Sequence, residues 1–128
     1  MPNITLKGTV YSGGGEGRKF IDLPWVKRQI QEKLGFTPYS GTLNIHLNKE
    51  SAKQKALLEK AERLKIYPDM GYCTGILIKA HVESLACAII VPQVPNYPSD
   101  VLELVAVWCL RARLKLCDDD EVTVTVNV

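Results

Sequence analysis

The stretch Thr42-Leu43-Asn44-Ile45-His46-Leu47 alternates strictly, with polar residues at the even positions and leucine or isoleucine at the odd ones. Successive side chains of a β-strand point to opposite faces, so this pattern predicts a strand with one buried face and one polar face. Residues 4–11 and 121–126 show a similar alternation and are rich in β-branched side chains. Strands are therefore expected near both ends of the chain and in its middle.

Two further apolar segments, Cys73–Ala80 and Ser84–Val91, are separated by a short polar link. Apolar runs of this length that are joined in this way predict a pair of neighbouring strands.

Helices are expected in four places. One covers residues 24–34, where a proline can occupy the first turn and Gly35 ends the helix. Residues 50–65, rich in Lys, Glu, Ala and Leu, predict a surface helix. Further helices are expected over residues 99–104, capped by a serine or an aspartate, and over residues 110–116. Because strands outnumber helices and no repeated βαβ order is visible, a compact, mainly β barrel with a few peripheral helices is predicted.

Composition narrows the functional classes. With 128 residues, 46% of them hydrophobic and 23% charged, the chain has the size of one globular domain, expected over residues 1–128. The net charge of +2 is spread along the chain, so no nucleic-acid partner is expected. No apolar run approaches the roughly 20 residues that span a bilayer, so no membrane partner is expected. Four cysteines without Cys-x-x-Cys spacing, and the lack of an apolar leader, favour free thiols in a cytoplasmic protein.

The run Ser12-Gly13-Gly14-Gly15-Glu16-Gly17-Arg18-Lys19 has the composition of a polyphosphate site. Residues without side chains let backbone N–H groups converge on an anion, and two cations follow them. The run matches neither the P-loop nor the Rossmann pattern, so a nucleotide would be held in another way. A flexible hairpin loop explains the same composition as readily.

Thr42 and Asn44 lie two positions apart on the predicted strand, so their side chains point to the same face. Hydroxyl and amide oxygens are hard ligands that suit Mg²⁺ when phosphate oxygens complete the coordination. The alternative is that both residues simply occupy the solvated face of an amphipathic strand.

Two other segments carry candidate functional groups. Glu103 lies in the apolar, predicted helical segment Val101–Val105, where its carboxylate could accept a hydroxyl proton; such a residue can equally lie on the outer face of a helix. Trp108-Cys109-Leu110-Arg111 offers an aromatic plane and a guanidinium, which could stack on a base and pair with a phosphate. A core tryptophan beside a surface arginine is the alternative.

Six segments carry a family resemblance that extends over nearly the whole chain apart from about residues 48–75: Gly8–Arg18, Leu34–Asn44, Ala88–Pro92, Leu102-Glu103, Leu110-Arg111 and Asp118–Val122. In this order they closely resemble the archaeal CTP-dependent riboflavin kinases. The resemblance implies a six-stranded cradle-loop β-barrel with a Greek-key-like course. It also implies transfer of the γ-phosphate of CTP to the 5′-hydroxyl of riboflavin, giving FMN and CDP. A monomer is expected.

The resemblance also implies roles for individual residues. Thr42 and Asn44 would bind Mg²⁺, while Asn96 and Glu103 would contact the flavin, and Glu103 could orient or deprotonate its hydroxyl. The loop from Gly14 to Lys19 would hold CTP. In full, the residues implied in nucleotide binding are Gly14, Gly15, Glu16, Gly17, Arg18, Lys19, Trp108, Cys109, Leu110 and Arg111.

The chain departs from the family pattern in three places. The loop over residues 93–98 lacks the threonine that contacts the flavin, Ala106-Val107 replaces Ala-Pro, and Asp118-Asp119-Asp120 replaces Asp-Gly-Asp. One alternative is therefore a catalytically altered nucleotide- or flavin-binding module on the same barrel, acting as a sensor or regulator. A second is a DNA-binding relative, against which the nearly balanced charge counts.

Overall fold

A computed structural model describes residues 3–69, 71 and 74–128. In this part of the chain the strands are Asn3–Tyr11 (β1), Leu43–Leu47 (β2), Leu64–Ile66 (β3), Gly75–Val82 (β4), Leu85–Pro92 (β5), Val101–Val105 (β6) and Glu121–Asn127 (β7). The helices are Glu16–Ile21 (α1), Pro24–Leu34 (α2), Lys49–Gln54 (α3) and Leu110–Arg113 (α4), and a 3₁₀ segment, Lys55–Lys60, follows α3. Cys73, the expected first residue of a strand, lies outside the described residues.

Six of the strands form a closed antiparallel barrel. Their order is β4-β5-β6-β2-β1-β7, and β7 pairs back with β4 through the pairs His81–Thr125 and Val82–Val124. The short strand β3 adds to β4 outside this ring. The prediction of a mainly β, six-stranded barrel with a few peripheral helices is therefore confirmed.

The alternating strands fill the barrel with apolar side chains. Leu43, Ile45 and Leu47 point inward from β2, as their spacing predicts, and β6 and β7 contribute Leu102 and Val124, which are at most 1% exposed. Complete burial of such a side chain contributes about 1.5–3 kcal/mol. Because the interior is apolar, polar side chains of these strands lie on the outer face of the barrel.

A second apolar cluster forms where α2 covers the outer face of β4 and β5. Val26 and Ile30 of α2 pack there with Leu77 and Ile90. As expected, a proline lies in the first turn of this helix, and Gly35 ends it with a φ of 79°.

Two helix predictions are wrong. The helix expected over residues 99–104 is replaced from residue 101 by strand β6, which pairs with β2 and β5. Four of its five residues are buried on the two faces of the sheet, so the apolar run lacks the alternation that identifies a strand. The expected surface helix over residues 50–65 is reduced to α3 and the 3₁₀ segment, because Leu64–Ile66 pairs with β4.

Three of the four cysteines and all the helices named above lie in the described part of the chain. Cys87, Cys109 and Cys117 are free, and burial in the barrel raises the pKa of Cys87 to about 12. No helix in the described residues is long and apolar enough to cross a membrane.

Replacing a barrel-filling residue should be far more costly than replacing an exposed one. Leu102→Ala removes a side chain that is 1% exposed, and we expect a loss of about 2–5 kcal/mol in the free energy of unfolding. Leu57→Ala, at a position that is 38% exposed, should cost about 0.5 kcal/mol or less. Urea unfolding followed by circular dichroism measures both. Equal losses would contradict the placement of Leu102 inside the barrel.

Candidate functional site

The glycine-rich segment follows the end of β1 and turns directly into a helix. Gly15 has a φ of 92°, a conformation that glycine adopts without steric cost, and α1 begins at the next residue. The expected loop from Gly14 to Lys19 is therefore a short turn followed by the first residues of α1. The side chain of Glu16 lies outside what the structure describes.

Two of the glycines are required by contacts with Thr42 and Asn44. A Cβ atom at Gly13 would overlap the side-chain amide of Asn44, and one at Gly17 would overlap the hydroxyl of Thr42. The glycine-rich segment thus lies directly on the two predicted metal ligands. At Gly13 and Gly17 the lack of a side chain is thus explained by packing, which favours a built site over a merely flexible loop.

A cleft of about 280 Å³ opens between this segment and the outer face of the barrel. Its floor includes a row of cross-strand neighbours, since Tyr11 of β1 pairs with Asn44 of β2, which pairs with Glu103 of β6. The residues that line the cleft are Tyr11, Gly13, Gly14, Gly15, Gly17, Arg18, Gly41, Thr42, Asn44 and Glu103. Seven of them were candidates from sequence, and these seven come from three separate segments of the chain.

The donor oxygens of Thr42 and Asn44 fit a magnesium ion. The Thr42 hydroxyl donates a hydrogen bond to Oδ1 of Asn44 over 3.0 Å. Adjacent oxygens around an octahedral Mg²⁺ with bonds of about 2.0–2.1 Å lie about 2.9 Å apart, so both could become neighbouring ligands once the hydroxyl hydrogen turns away. Among the described residues no group of three or more His, Cys, Asp and Glu could hold a metal. Because both ligands are neutral oxygen donors, the pair suits a hard cation that arrives with phosphate oxygens.

A smaller hollow of about 50 Å³ adjoins the cleft and shares Gly41 and Thr42 with it. The residues that line it are Tyr39, Gly41, Thr42, Leu43, Leu104, Ala106, Trp108, Cys109, Leu110 and Arg111. The candidate segment Trp108–Arg111 thus meets the glycine-rich segment through the start of β2. The Arg113 guanidinium lies 5.0 Å from the centre of the Trp108 ring and restrains it.

Asp118 connects the cleft and the hollow. Its carboxylate accepts hydrogen bonds from the Ser12 hydroxyl at 3.0 and 3.1 Å, and from the Arg111 guanidinium at 2.5 Å. The Arg111 guanidinium and then the Ser12 hydroxyl hold the pKa of the Asp118 carboxyl below its usual range. The same turn is bonded to β1, because the backbone N–H of Asp119 donates to the carbonyl of Val10 over 2.7 Å. From sequence, Asp118 was noted only within the family resemblance and its departure from Asp-Gly-Asp.

Not every candidate from sequence reaches the cleft. Lys19 is exposed on α1, and neither it nor Asn96 is among the residues that line the cleft. Asn96 is exposed at a φ of 63° in the loop between β5 and β6. Tyr11, Gly13 and Gly41 line the cleft but were not singled out from sequence. The alternation of β1, which places Tyr11 on the polar outer face, is the signal that could have identified it.

The contribution of Asp118 to stability should depend on pH. A carboxyl whose pKa is lower in the folded chain stabilises the fold above its unfolded pKa of about 3.9, and this contribution is lost as the pH falls through the folded value. Asp118→Asn should therefore lower the urea midpoint at pH 7, and the difference from the wild type should shrink below about pH 4.

The matched control is Asp119→Asn, in the same turn, which removes one negative charge but leaves the contacts of Asp118 with Ser12 and Arg111 in place, so its urea midpoint at pH 7 should stay close to that of the wild type. A deficit of Asp118→Asn that is the same at pH 7 and at pH 3 would contradict a role for the Asp118 charge.

The chain is similar to known proteins over nearly its whole length. The family model CTP-dep_RFKase, described as a domain of unknown function (DUF120), matches residues 10–126. A riboflavin kinase of Ignicoccus hospitalis is 39% identical over 127 residues, which are 96% of this chain and 71% of that protein. Riboflavin kinases of Methanosarcina barkeri and Archaeoglobus fulgidus are 34% and 35% identical over 97% and 96% of this chain. The chain spans only 57% and 54% of the lengths of these two relatives.

Proposed function

The chain belongs to the CTP-dependent riboflavin kinase family, and from this premise we propose that it transfers the γ-phosphate of CTP to the 5′-hydroxyl of riboflavin, giving FMN and CDP. The observation that carries the proposal is the convergence of the glycine-rich segment, Thr42, Asn44 and Glu103 on one cleft. A phosphate donor, a metal and a hydroxyl acceptor must meet within a few ångströms for this reaction, and the cleft offers suitable groups for all three.

The donor nucleotide is assigned to the cleft and the adjoining hollow. The backbone of Gly13–Gly17 can approach phosphate oxygens closely because four of these five residues lack side chains. Arg18 at the cleft supplies positive charge, and Lys19 follows it on α1. The base is assigned to the hollow, beside Trp108, with Arg111 held near the phosphates by Asp118. The neighbours Cys109 and Leu110 complete this wall.

Thr42 and Asn44 are the proposed ligands of Mg²⁺. When bound there with the nucleotide, the ion would neutralise charge that builds up on the transferred phosphoryl group. Both side chains are neutral, so their affinity for the free ion should be weak and should depend on the phosphates. A pair of neutral metal ligands can therefore serve a kinase when the nucleotide supplies the charged ones.

The acceptor hydroxyl is assigned to the Glu103 side of the cleft. Asn44 and Glu103 are cross-strand neighbours, and adjacent strands are about 4.8 Å apart, so a phosphate held at Asn44 lies within reach of a hydroxyl held at Glu103. Glu103 can accept the hydrogen of this hydroxyl and so orient its oxygen towards phosphorus. Asn96 is proposed as a flavin contact only if the exposed loop between β5 and β6 closes over the acceptor.

The reaction is a single displacement. The 5′-oxygen of riboflavin forms a bond to the γ-phosphorus, the bond from this phosphorus to the bridging oxygen breaks, and CDP leaves with the electron pair. The hydroxyl proton passes to Glu103 or to solvent. Positioning and charge neutralisation supply most of the rate in such transfers, so no covalent enzyme intermediate is required.

The function is tested by incubating the purified protein with riboflavin, Mg²⁺ and one of CTP, ATP, GTP or UTP, followed by chromatographic detection of FMN. FMN formed chiefly with CTP is the expected result. If the protein bound CTP but formed no FMN with any donor, the alternative of a nucleotide- or flavin-binding module on the same barrel would replace the kinase. The observation that favours this alternative is the altered loop over residues 93–98, which lacks the threonine of the family pattern.

Loss of the Asn44 amide should impair catalysis through the metal. We expect Asn44→Ala to lower kcat/KM for CTP by about 100-fold, since it removes one ligand from the group that neutralises transition-state charge. The Mg²⁺ concentration needed for half-maximal activity should rise as well.

The control for this prediction is Asn127→Ala, an exposed asparagine on β7 that pairs with Asn3 at the end of β1 remote from Tyr11. It should behave like the wild type. An Asn44→Ala variant with unchanged Mg²⁺ dependence would remove Asn44 from the proposed metal site.

A further inference from the structure

Tyr97 carries a buried hydroxyl that lacks a well-formed hydrogen bond to any residue that the structure describes. The residue lies in the loop between β5 and β6, and its oxygen makes no well-formed hydrogen bond in the described part of the protein. Leaving a buried polar group in this state costs free energy, so each such group in a folded protein calls for an explanation. The aromatic ring alone could have been provided by phenylalanine.

Glu103 is the charged side chain that acts most strongly on this hydroxyl. Burial and then the Glu103 carboxylate raise the pKa of Tyr97 well above its ordinary value, and Tyr11 acts in the same direction. The phenol is therefore protonated at neutral pH and can donate a hydrogen bond. The Glu103 carboxylate raises this pKa both through its charge and as a hydrogen-bond acceptor, although the Tyr97 oxygen meets no partner at full hydrogen-bond geometry among the described residues. Glu103 and Tyr11 both line the cleft, whereas Tyr97 does not.

Lys55 contacts the ring of Tyr97. Its ammonium lies 5.3 Å from the centre of the Tyr97 ring. It also donates hydrogen bonds to the carbonyls of Val101, at 2.8 Å, and Pro98, at 3.3 Å. Lys55 therefore ties the 3₁₀ segment to both ends of the short connection that leads from Tyr97 into β6. The partial burial of its ammonium lowers the pKa of Lys55, while the carboxylates of Asp100 and Glu103 oppose this effect.

We propose that Tyr97 is a positioning residue that donates its hydroxyl hydrogen to the Glu103 carboxylate when the acceptor occupies the cleft, and that Lys55 holds the Tyr97 ring for this purpose. Hydrogen bonds at catalytic groups are often long or misaligned in the unliganded protein and tighten in the complex. A carboxylate has two oxygens, so Glu103 can accept from Tyr97 with one and from the acceptor hydroxyl with the other. The inference rests on the proposed function, in which Glu103 faces the acceptor.

A double-mutant cycle tests whether Tyr97 acts through Glu103. Tyr97→Phe keeps the ring and removes only the hydroxyl, and we expect kcat/KM for riboflavin to fall about tenfold, with KM for CTP unchanged. In the Glu103→Gln background the same substitution should have little further effect, because the acceptor of the hydrogen bond has been altered. Lys55→Met should reproduce the loss, and Lys55→Arg should largely restore activity. No loss in the wild-type background, or the same loss in both backgrounds, would overturn the proposal.

Nuclear magnetic resonance provides a readout that does not depend on turnover. The protein is labelled with ¹³C at the Cζ position of its tyrosines. The Tyr97 resonance is then the one that is missing from the spectrum of Tyr97→Phe. It should move in Glu103→Gln and on addition of riboflavin with Mg²⁺ and CDP. An unmoved resonance in Glu103→Gln would overturn the proposed contact even if the wild type forms FMN. If the resonance moves but no FMN forms with any donor, the contact with Glu103 stands and the kinase assignment fails.

Discussion

Closure of the sheet by the pairing of β4 with β7 is the constraint on which the rest of the structure depends. Two residue pairs, His81–Thr125 and Val82–Val124, join the ends of what would otherwise be an open sheet. A closed barrel of six strands has an interior that only side chains can fill. The polar side chains of these strands then lie on the outer face, and the cleft of the candidate site forms there.

The candidate site is a direct consequence of this arrangement. The outer-face residues Tyr11, Asn44 and Glu103 lie in one row across three neighbouring strands because β1, β2 and β6 are adjacent in the ring. The chain leaves β1 immediately after Tyr11, and the glycine-rich segment folds back over this row. Side chains at Gly13 and Gly17 would collide with Asn44 and Thr42, so the segment can approach only without them. The turn at Asp118 then joins the segment to Arg111.

Sequence was informative where a pattern is local and failed where contacts are distant. Alternation in β2 predicted its buried and polar faces, because strand periodicity needs no knowledge of partners. Strand β6 was mistaken for a helix, because burial on both faces removed its alternation and its pairing partners are remote in sequence. The bond between Ser12 and Asp118 spans 106 positions and has no local signal. The buried hydroxyl of Tyr97 was likewise invisible, since it depends on Lys55 and Glu103 in other segments.

The central claim is that the donor nucleotide binds in the cleft between the glycine-rich segment and β2 and extends into the adjoining hollow. Titration of ¹⁵N-labelled protein with CDP and Mg²⁺, followed through amide chemical shifts, tests this claim most directly. The largest changes should fall in Gly13–Arg18 and Trp108–Arg111, with smaller ones at Thr42 and Asn44. Changes confined to another surface, such as the groove lined by Ala52, Leu58 and Ile78 beside the 3₁₀ segment, would contradict it.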